Sequence, residues 1–533
     1  MAHKNLEREE TYEGAATGPV PDLGGLPGVA RVTAVPAEEL DTVYYDTDGL
    51  ALLASGCTLR RRSGGHDAGW RLTLPAGGGG PRQEVRRPAA AGGPDEVPPD
   101  IARHLAARAR GREVVPVARL RTHRERRSLL DKRDRVLAEV VRDDVSAQVL
   151  GTGRTAPPAG AGPSRTPRSG GRDAGTGTTL TAWSQVGIEL KHGGGKLLTA
   201  AGHRLREAGL RPAVATGLGH ALAAADLAPR APAAPPSGTA GDAVLARLRS
   251  QTAELLAADA AVRGGEPDAV HRMRMTVRRL RSALKTYRRL FLPGSTRPLA
   301  GELGRLGRVL GEARDHEVLA ERLAADAAAL RDGDRIGPAL AGPAGAVAAG
   351  EAAAYRQAWR RVCRELDGAR YYALLDALDV FLAAPPLDPK ADRDARRELR
   401  SAARKAQRAA DRRSGRALAT GPGPERDRAL HSARKAAKRL RYAAETARPV
   451  VGGPARRLAK RAKAVQQALG EHQDAVVTAR TLPALAERDH AAGRDTFVHG
   501  VLYARHRAAA DRSEHDLPAL RARAGRKGLT RFR

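Results

Sequence analysis

One pattern occurs twice in this chain and limits what its second half can become. Residues 271–281 read H-x-x-R-x-x-x-R-R-L-R, and residues 431–441 read H-x-x-R-x-x-x-K-R-L-R. Each copy is followed by a second motif, LGEARDHEV at 310–318 and LGEHQDAVV at 469–477. Two motifs in the same order, offset by 160 and 159 residues, mark an internal duplication of a helical unit.

On a helix of about 100° per residue, His271, Arg274, Arg278, Arg281 and Lys285 share one face. Val277, Leu280, Leu284, Tyr287 and Phe291 form an apolar stripe roughly 100° away rather than opposite. A solvated basic face would sit across from the core, whereas a basic row beside the core edge would line a groove or helix junction. One such row alone also fits an ordinary surface helix. The second copy, with His431, Arg434, Lys438 and Arg441, favours the groove, and Glu445 stands where the first copy has Lys285.

Helical periodicity runs from about residue 242 to 520, with helices expected near 242–263, 266–291, 297–313, 315–331, 344–366, 370–383, 391–418, 425–448, 454–470, 472–490 and 494–515. Another basic row, Arg393, Arg397, Arg400, Arg404 and Arg408, recurs every three or four residues, and Lys460 and Lys463 precede the second LGE motif. Asp315 and Asp474 fall at expected helix starts, as N-caps or as ion-pair partners that orient arginines. His271 and His431 have no ligand partner at metal spacing, so phosphate bonding or packing fits them better.

The net charge of +32 calls for a polyanionic partner or an anionic surface. Aromatic residues are only 3% of the chain, which argues against reading single strands by base stacking, and no specific nucleic-acid motif is present. Cys57 and Cys363 form no C-x-x-C pair, and no apolar run is long enough to span a membrane, so a soluble protein of the cytoplasm is expected.

Before residue 229 the pattern is that of short strands: 42–46, 58–62, 70–74, 83–87, 117–122, 136–141 and 186–190. Helices are expected at 101–109 and 196–208. Arg60 with Arg62, Arg119 with Arg121, and Glu7 with Glu9 are spaced by two, which puts each pair on one face of a strand. Inside a barrel such faces make a charged tunnel, where arginines bind phosphate and carboxylates hold a divalent metal; on an open sheet they meet solvent. Residues 151–179 are too rich in Gly, Pro, Ser and Thr to pack and are read as a disordered insertion, and 229–241 as a Pro/Ala linker.

The order of LEREETYEG, VYYDT, TLRRR, GWRLTLP, VARLRT, LAEVVRDDV and WSQVGIEL across 1–228 resembles the CYTH domain of the triphosphate tunnel metalloenzymes. That resemblance implies an eight-stranded antiparallel barrel. Arg60, Arg62, Arg119 and Arg121 would hold a triphosphate compound, and Glu7, Glu9, Glu139 and Glu189 would hold Mg²⁺ or Mn²⁺. Thr11, Thr73, Gln185 and Gly187 stand where the family carries charge, so reduced or absent hydrolysis is expected.

The duplicated motifs of the second half resemble the CHAD domain, a helical domain often found after CYTH. The expected fold is therefore α+β and multidomain, a tunnel-type barrel at 1–228 followed by an all-α domain of two duplicated bundles at 242–520. The resemblance implies a basic channel that binds inorganic polyphosphate, without a cofactor, and directs proteins to polyphosphate granules. It places that role on His271, Arg274, Arg278, Arg281, Lys285, His431, Arg434, Lys438 and Arg441, and the other basic rows add Arg400, Arg404 and Lys463 as candidate contacts. A base-free chain of closely spaced charges needs such rows and no aromatic platforms. The rival expectations are a metal-dependent triphosphatase or polyphosphatase acting in the tunnel, and nonspecific nucleic-acid binding.

Overall fold

The computed structural model describes residues 9–14, 20–75, 83–93, 96–150, 179–213, 217–225, 238–332, 337–421 and 423–515. The chain divides into two compact units, Met1–Ala231 and Pro232–Arg533. Glu7 and nearly all of the 151–179 insertion lie outside the described residues.

The first unit is one antiparallel sheet. Its strands are β1 (Glu9–Gly14), β2 (Arg31–Asp46), β3 (Thr58–Ser63), β4 (Gly69–Leu74), β5 (Gln83–Arg87), β6 (Val115–Leu130), β7 (Val136–Val149), β8 (Thr179–Leu190) and β9 (Arg211–Pro212). They are ordered β5-β4-β3-β2-β6-β7-β8-β1-β9. The ladder stays open at β5 and β9 among the described residues, so hydrogen bonding does not close the expected barrel. β2, β6, β7 and β8 run 12 to 16 residues, well past their apolar cores, because charges on adjacent strands pair across the sheet.

One face packs on helices. α1 (Ala51–Ala54) and α2 (Pro99–Ala109) cover Leu59, Trp70 and Leu72, while α3 (Gly195–Glu207) covers Tyr12, Val140 and Ile188. Alternation along β3 and β4 therefore turns Arg60, Arg62, Arg71 and Thr73 to the other face. At one end of that second face α4 (Gly217–Ala224) packs Leu218, Ala221 and Leu222 on Leu120, Val145, Ala147 and Val149.

The second unit is helical: α5 (Ala240–Arg263), α6 (Ala269–Thr286), α7 (Arg297–Arg331), α8 (Gly337–Leu366), α9 (Ala369–Ala383), α10 (Ala395–Ala419), α11 (Pro424–Val451), α12 (Gly453–Ala491) and α13 (Phe497–His515). α5–α8 and α10–α13 are the two copies of the repeat, and α5 and α10 meet across them, as do α6 and α11. Two starts are capped as their sequences specify: the Thr239 hydroxyl accepts from the Asp242 amide at 3.1 Å, and the Asp394 carboxylate from the Arg397 amide at 2.8 Å. The stripe Val277, Leu280, Leu284, Tyr287 and Phe291 is buried throughout, at roughly 1.5–3 kcal/mol for each large apolar side chain.

Two expected breaks are absent. α7 and α12 run unbroken for 35 and 39 residues through both LGE motifs, so Asp315 and Asp474 are mid-helix residues rather than N-caps. A helical glycine costs only about 1 kcal/mol, which the packing of a long helix on its neighbours outweighs.

Candidate functional site: a cavity lined by cations

A cavity of about 1040 Å³ opens between α6, α7, α10 and α11. Of its 26 lining residues, 13 are Arg or Lys, none is Asp or Glu, and Tyr442 is the one aromatic. Arg274, Arg278, Arg281 and Lys285 come from α6, and His431, Arg434 and Lys438 from α11. The rows of the two copies thus face one space.

The paired motifs explain each other. Gly311 and Gly470, the glycines of the LGE motifs, lie against Arg274 and Arg434, and a Cβ added there would stand 3.4 Å and 3.8 Å from the respective guanidinium groups. Four residues on, the Asp315 carboxylate accepts from Arg274 at 3.2 Å, and Asp474 pairs with Arg434 at 3.6 Å and with Arg322 at 3.3 Å. L-G-E-x-x-D therefore sits against an arginine in each copy, the glycine in contact with the guanidinium and the aspartate pairing with it. Gly304 gives Arg281 closer room, since its guanidinium carbon lies 3.0 Å from the position of an added Cβ, tighter than an ordinary contact.

Inside the cavity the cations crowd one another. Arg278, Arg281, Lys285 and Lys438 have no ion-pair partner among the described residues. Burial, then the like charges of Arg278, Arg434 and Arg274, push the Lys438 ammonium down to about 6. The same two causes lower Arg278 and Arg434, burial first. The Nε–H groups of Arg281 and Arg434 are buried without an acceptor. A set of buried cations with unsatisfied donors is suited to an oxyanion that supplies both charge and acceptors.

Other expected site residues fall elsewhere. His271 is not part of the lining; it lies among Arg314, Asp268 and Glu317, and burial lowers its pKa. His431 binds Gln473 at 2.7 Å through Nδ1, and no metal ligand set includes either histidine among the described residues. Arg441 turns to Glu445 at 2.7 Å, and Glu445 also pairs with Arg279 at 3.6 Å and Arg247 at 3.7 Å, which breaks the symmetry of the two copies. On α10 the row Arg400 and Arg404 is off the cavity. The wall is formed one residue on, by Ser401, Lys405 and Ala409, with Arg413 beyond. Lys463 is not in the wall either, since α12 contributes nothing to it. Sequence reasoning missed Arg288 and Arg289 just after α6, Arg308 on α7, Lys405 and Arg413 on α10, and Lys435 and Arg439 on α11. For Lys405 the signal was present, as Ser401, Lys405 and Ala409 make a helical row narrow enough to border a groove.

In the sheet unit, Arg60 and Arg62 share a face, but Arg119 and Arg121 lie on the opposite one, where Asp41 holds Arg119. Register pairs Thr42 with both Arg62 and Leu120, so the even positions of β6 face Arg62. Arg124 and Arg126 occupy that side and pair with Asp143 at 2.7 Å and Glu38 at 3.3 Å. Glu9, Glu189 and Glu139 stand side by side in register on β1, β8 and β7. Lys191 lies between two of them, 2.6 Å from Glu189 and 3.5 Å from Glu139, and their neighbours on the face are Thr11, Gly187 and Gln185. Among the described residues Lys191 thus neutralises Glu189 and Glu139, and the next carboxylate, Asp143, is committed to Arg124, while Glu7 lies outside them. No helix is long and apolar enough to cross a membrane among the described residues.

These features define a duplicated helical repeat around a cation-lined cavity, and comparison gives its class: the CHAD domain profile matches residues 246–483. Residues 246–483 are therefore a CHAD domain, and the chain as a whole belongs with two mycobacterial relatives. It is 35% identical over 530 residues to the uncharacterized proteins MT2285 and Rv2226 of two Mycobacterium tuberculosis strains, covering 97% of this chain and 96% of each relative. Among solved structures, PptA from Streptomyces chartreusis matches at 24% identity and TM-score 0.44 over 53% of this chain and 99% of that one. The CHAD domain from the plant Ricinus communis matches at 28% identity and TM-score 0.43, over 57% and 96%.

Proposed function

We propose that this protein binds inorganic polyphosphate through the cavity of its helical unit. One observation carries the reading: 13 arginine and lysine side chains and no carboxylate line a 1040 Å³ space that offers almost no aromatic surface. Arg274, Arg278, Arg434 and Lys438 form its centre, and Lys285, Arg308, Lys405 and Arg413 extend it. A polymer of phosphate units satisfies these donors without bases to stack, which separates it from single-stranded nucleic acid.

The sheet unit, in this reading, is a CYTH-like fold related to a tunnel and deprived of its catalytic metal set. It meets phosphate ends weakly or not at all. The protein then works as a cytoplasmic polyphosphate anchor, associated with polyphosphate granules where these form.

Competition binding at physiological ionic strength tests the proposal. Polyphosphate should displace DNA and RNA, and changing Arg274, Arg278, Arg434 and Lys438 together to Ala should abolish polyphosphate binding while the helical content is kept. Equal or stronger nucleic-acid binding would favour the nucleic-acid reading. Release of phosphate from tripolyphosphate with Mg²⁺ or Mn²⁺, lost on Glu139→Gln, would overturn the non-catalytic reading of the sheet unit.

A further inference from the structure

The sheet unit carries a basic cluster whose anion seat is already taken. Arg60 and Arg62 on β3 and Arg71 on β4 converge on one carboxylate, that of Asp67, in the turn joining the two strands. The Asp67 oxygens accept from Arg60 at 3.1 Å, from Arg62 at 2.9 Å and from Arg71 at 3.2 Å. All four side chains are largely withdrawn from water, Asp67 at 16% exposure and Arg62 at 11%. Three guanidinium groups around two oxygens is the coordination that a phosphate would receive.

The turn is built to deliver this carboxylate. Gly64 and Gly65 have φ of +82° and +68°, and a Cβ at Gly64 would come 2.2 Å from the Glu39 carbonyl oxygen. Only glycines let the turn fold down onto the middle of β2, at Glu39. Next to Asp67, His66 contacts Arg126 at 3.2 Å, and Arg126 in turn holds Glu38 at 3.3 Å, which ties the turn to the same face. Yet Ser63–His66 are exposed, so the turn is a strap over the face and not part of its core.

We propose that Asp67 is an internal anion plug, a carboxylate that fills the seat made by Arg60, Arg62 and Arg71 and holds this face closed to free phosphate anions until the turn lifts. The ligand class is a small polyphosphate such as tripolyphosphate, whose terminal oxygens would replace the two of Asp67. The inference concerns the sheet unit and does not rest on the polyphosphate reading of the helical cavity.

The test uses the full chain with Arg274, Arg278, Arg434 and Lys438 changed to Ala, so that the cavity contributes no signal. Tripolyphosphate is titrated by calorimetry into this parent and into the same chain carrying Asp67→Ala. The Asp67→Ala chain should bind at least about tenfold more tightly than the parent, because the competing charge-assisted bonds are gone. Its thermal midpoint should be lowered without the anion and raised by it more than the parent's. Adding Arg62→Met should remove the gain. If Asp67→Ala does not fold, Asp67→Asn, which keeps the shape and removes the charge, carries the same titration. A folded Asp67 variant that binds no more tightly than the parent overturns the plug. So does a parent that binds tripolyphosphate as tightly as the variant, or a gain that survives Arg62→Met.

Discussion

On the proposed function, Lys438 should make polyphosphate binding a proton-uptake reaction. Its ammonium is buried, at 8% exposure, among Arg274, Arg278 and Arg434, and its pKa lies at about 6 against an ordinary 10.5. In the empty cavity at pH 7 the amine is mostly neutral, and protonating it costs about 1.4 kcal/mol. A polyanion seated beside it reverses the balance of neighbouring charge, so the bound protein carries the proton. With a pKa well above 8 in the complex, affinity should tighten about ninefold from pH 8 to pH 7 and about fivefold more to pH 6. The sign follows from the direction of the shift. A lysine lowered on folding makes the unfolded chain the better proton binder between about pH 6 and 10.5, so the empty protein gains stability with rising pH in that window. Calorimetry with long-chain polyphosphate in buffers of different ionisation enthalpy should show close to one proton taken up per site at pH 7. Lys438→Met should bind more weakly at pH 6 and lose most of the pH dependence. A Lys438→Met chain with the wild-type pH slope, or no proton uptake by the wild type, would refute the reasoning.

Four further outcomes are expected. Salt titration of polyphosphate binding should give a log–log slope that falls by about 3 when any residual binding of the Arg274, Arg278, Arg434 and Lys438 variant is compared with wild type, at about 0.7 per cation. Asp474→Asn, which removes the carboxylate beside Arg434 and Arg322, should tighten polyphosphate binding by about two- to fivefold in direct titration. Glu445→Gln leaves Arg441, Arg279 and Arg247 without their shared partner and should cost about 1–3 kcal/mol in denaturant unfolding of the helical unit. Gly202→Ala places a methyl 2.2 Å from the hydroxyl of buried Tyr12 and should cost about 1–3 kcal/mol in the sheet unit, read from the thermal transition.

The duplication was legible because it repeats specific residues at a fixed offset, and with it came α6, α11 and the facing rows. The LGE motif was legible as a pattern but misread as a helix break, since glycine in a sequence shows its propensity and not the guanidinium resting on it. On β6 the segment VARLRTHRERR carries arginines at both parities, 119 and 121 on one, 124 and 126 on the other. Spacing alone could not choose between them. The register with β2 decides, through neighbours far away in sequence such as Thr42 and Arg62. On α10 the same ambiguity takes helical form. Its apolar residues are mostly alanines, so no large side chain fixed the inward arc, and the Arg400/Arg404 row and the Ser401/Lys405 row differ by about 100° of rotation. Asp67 had no signature at all, because a turn aspartate is ordinary until three arginines are seen around it.

The glycine seats have a consequence for how fast and how selectively the cavity fills. An arginine on an open helix surface surrenders roughly 1.5–2 kcal/mol of rotamer freedom when a ligand immobilises it. Arg274, Arg281 and Arg434 already lie against Gly311, Gly304 and Gly470 of the facing helices. They have met that loss during folding, so it is not charged again at each encounter. A long flexible polymer then gives up only its own conformational freedom, segment by segment, and a phosphate unit that leaves one seat finds the next still formed. Rigid seats of this kind favour a ligand that can slide along them over one that must dock in a single pose.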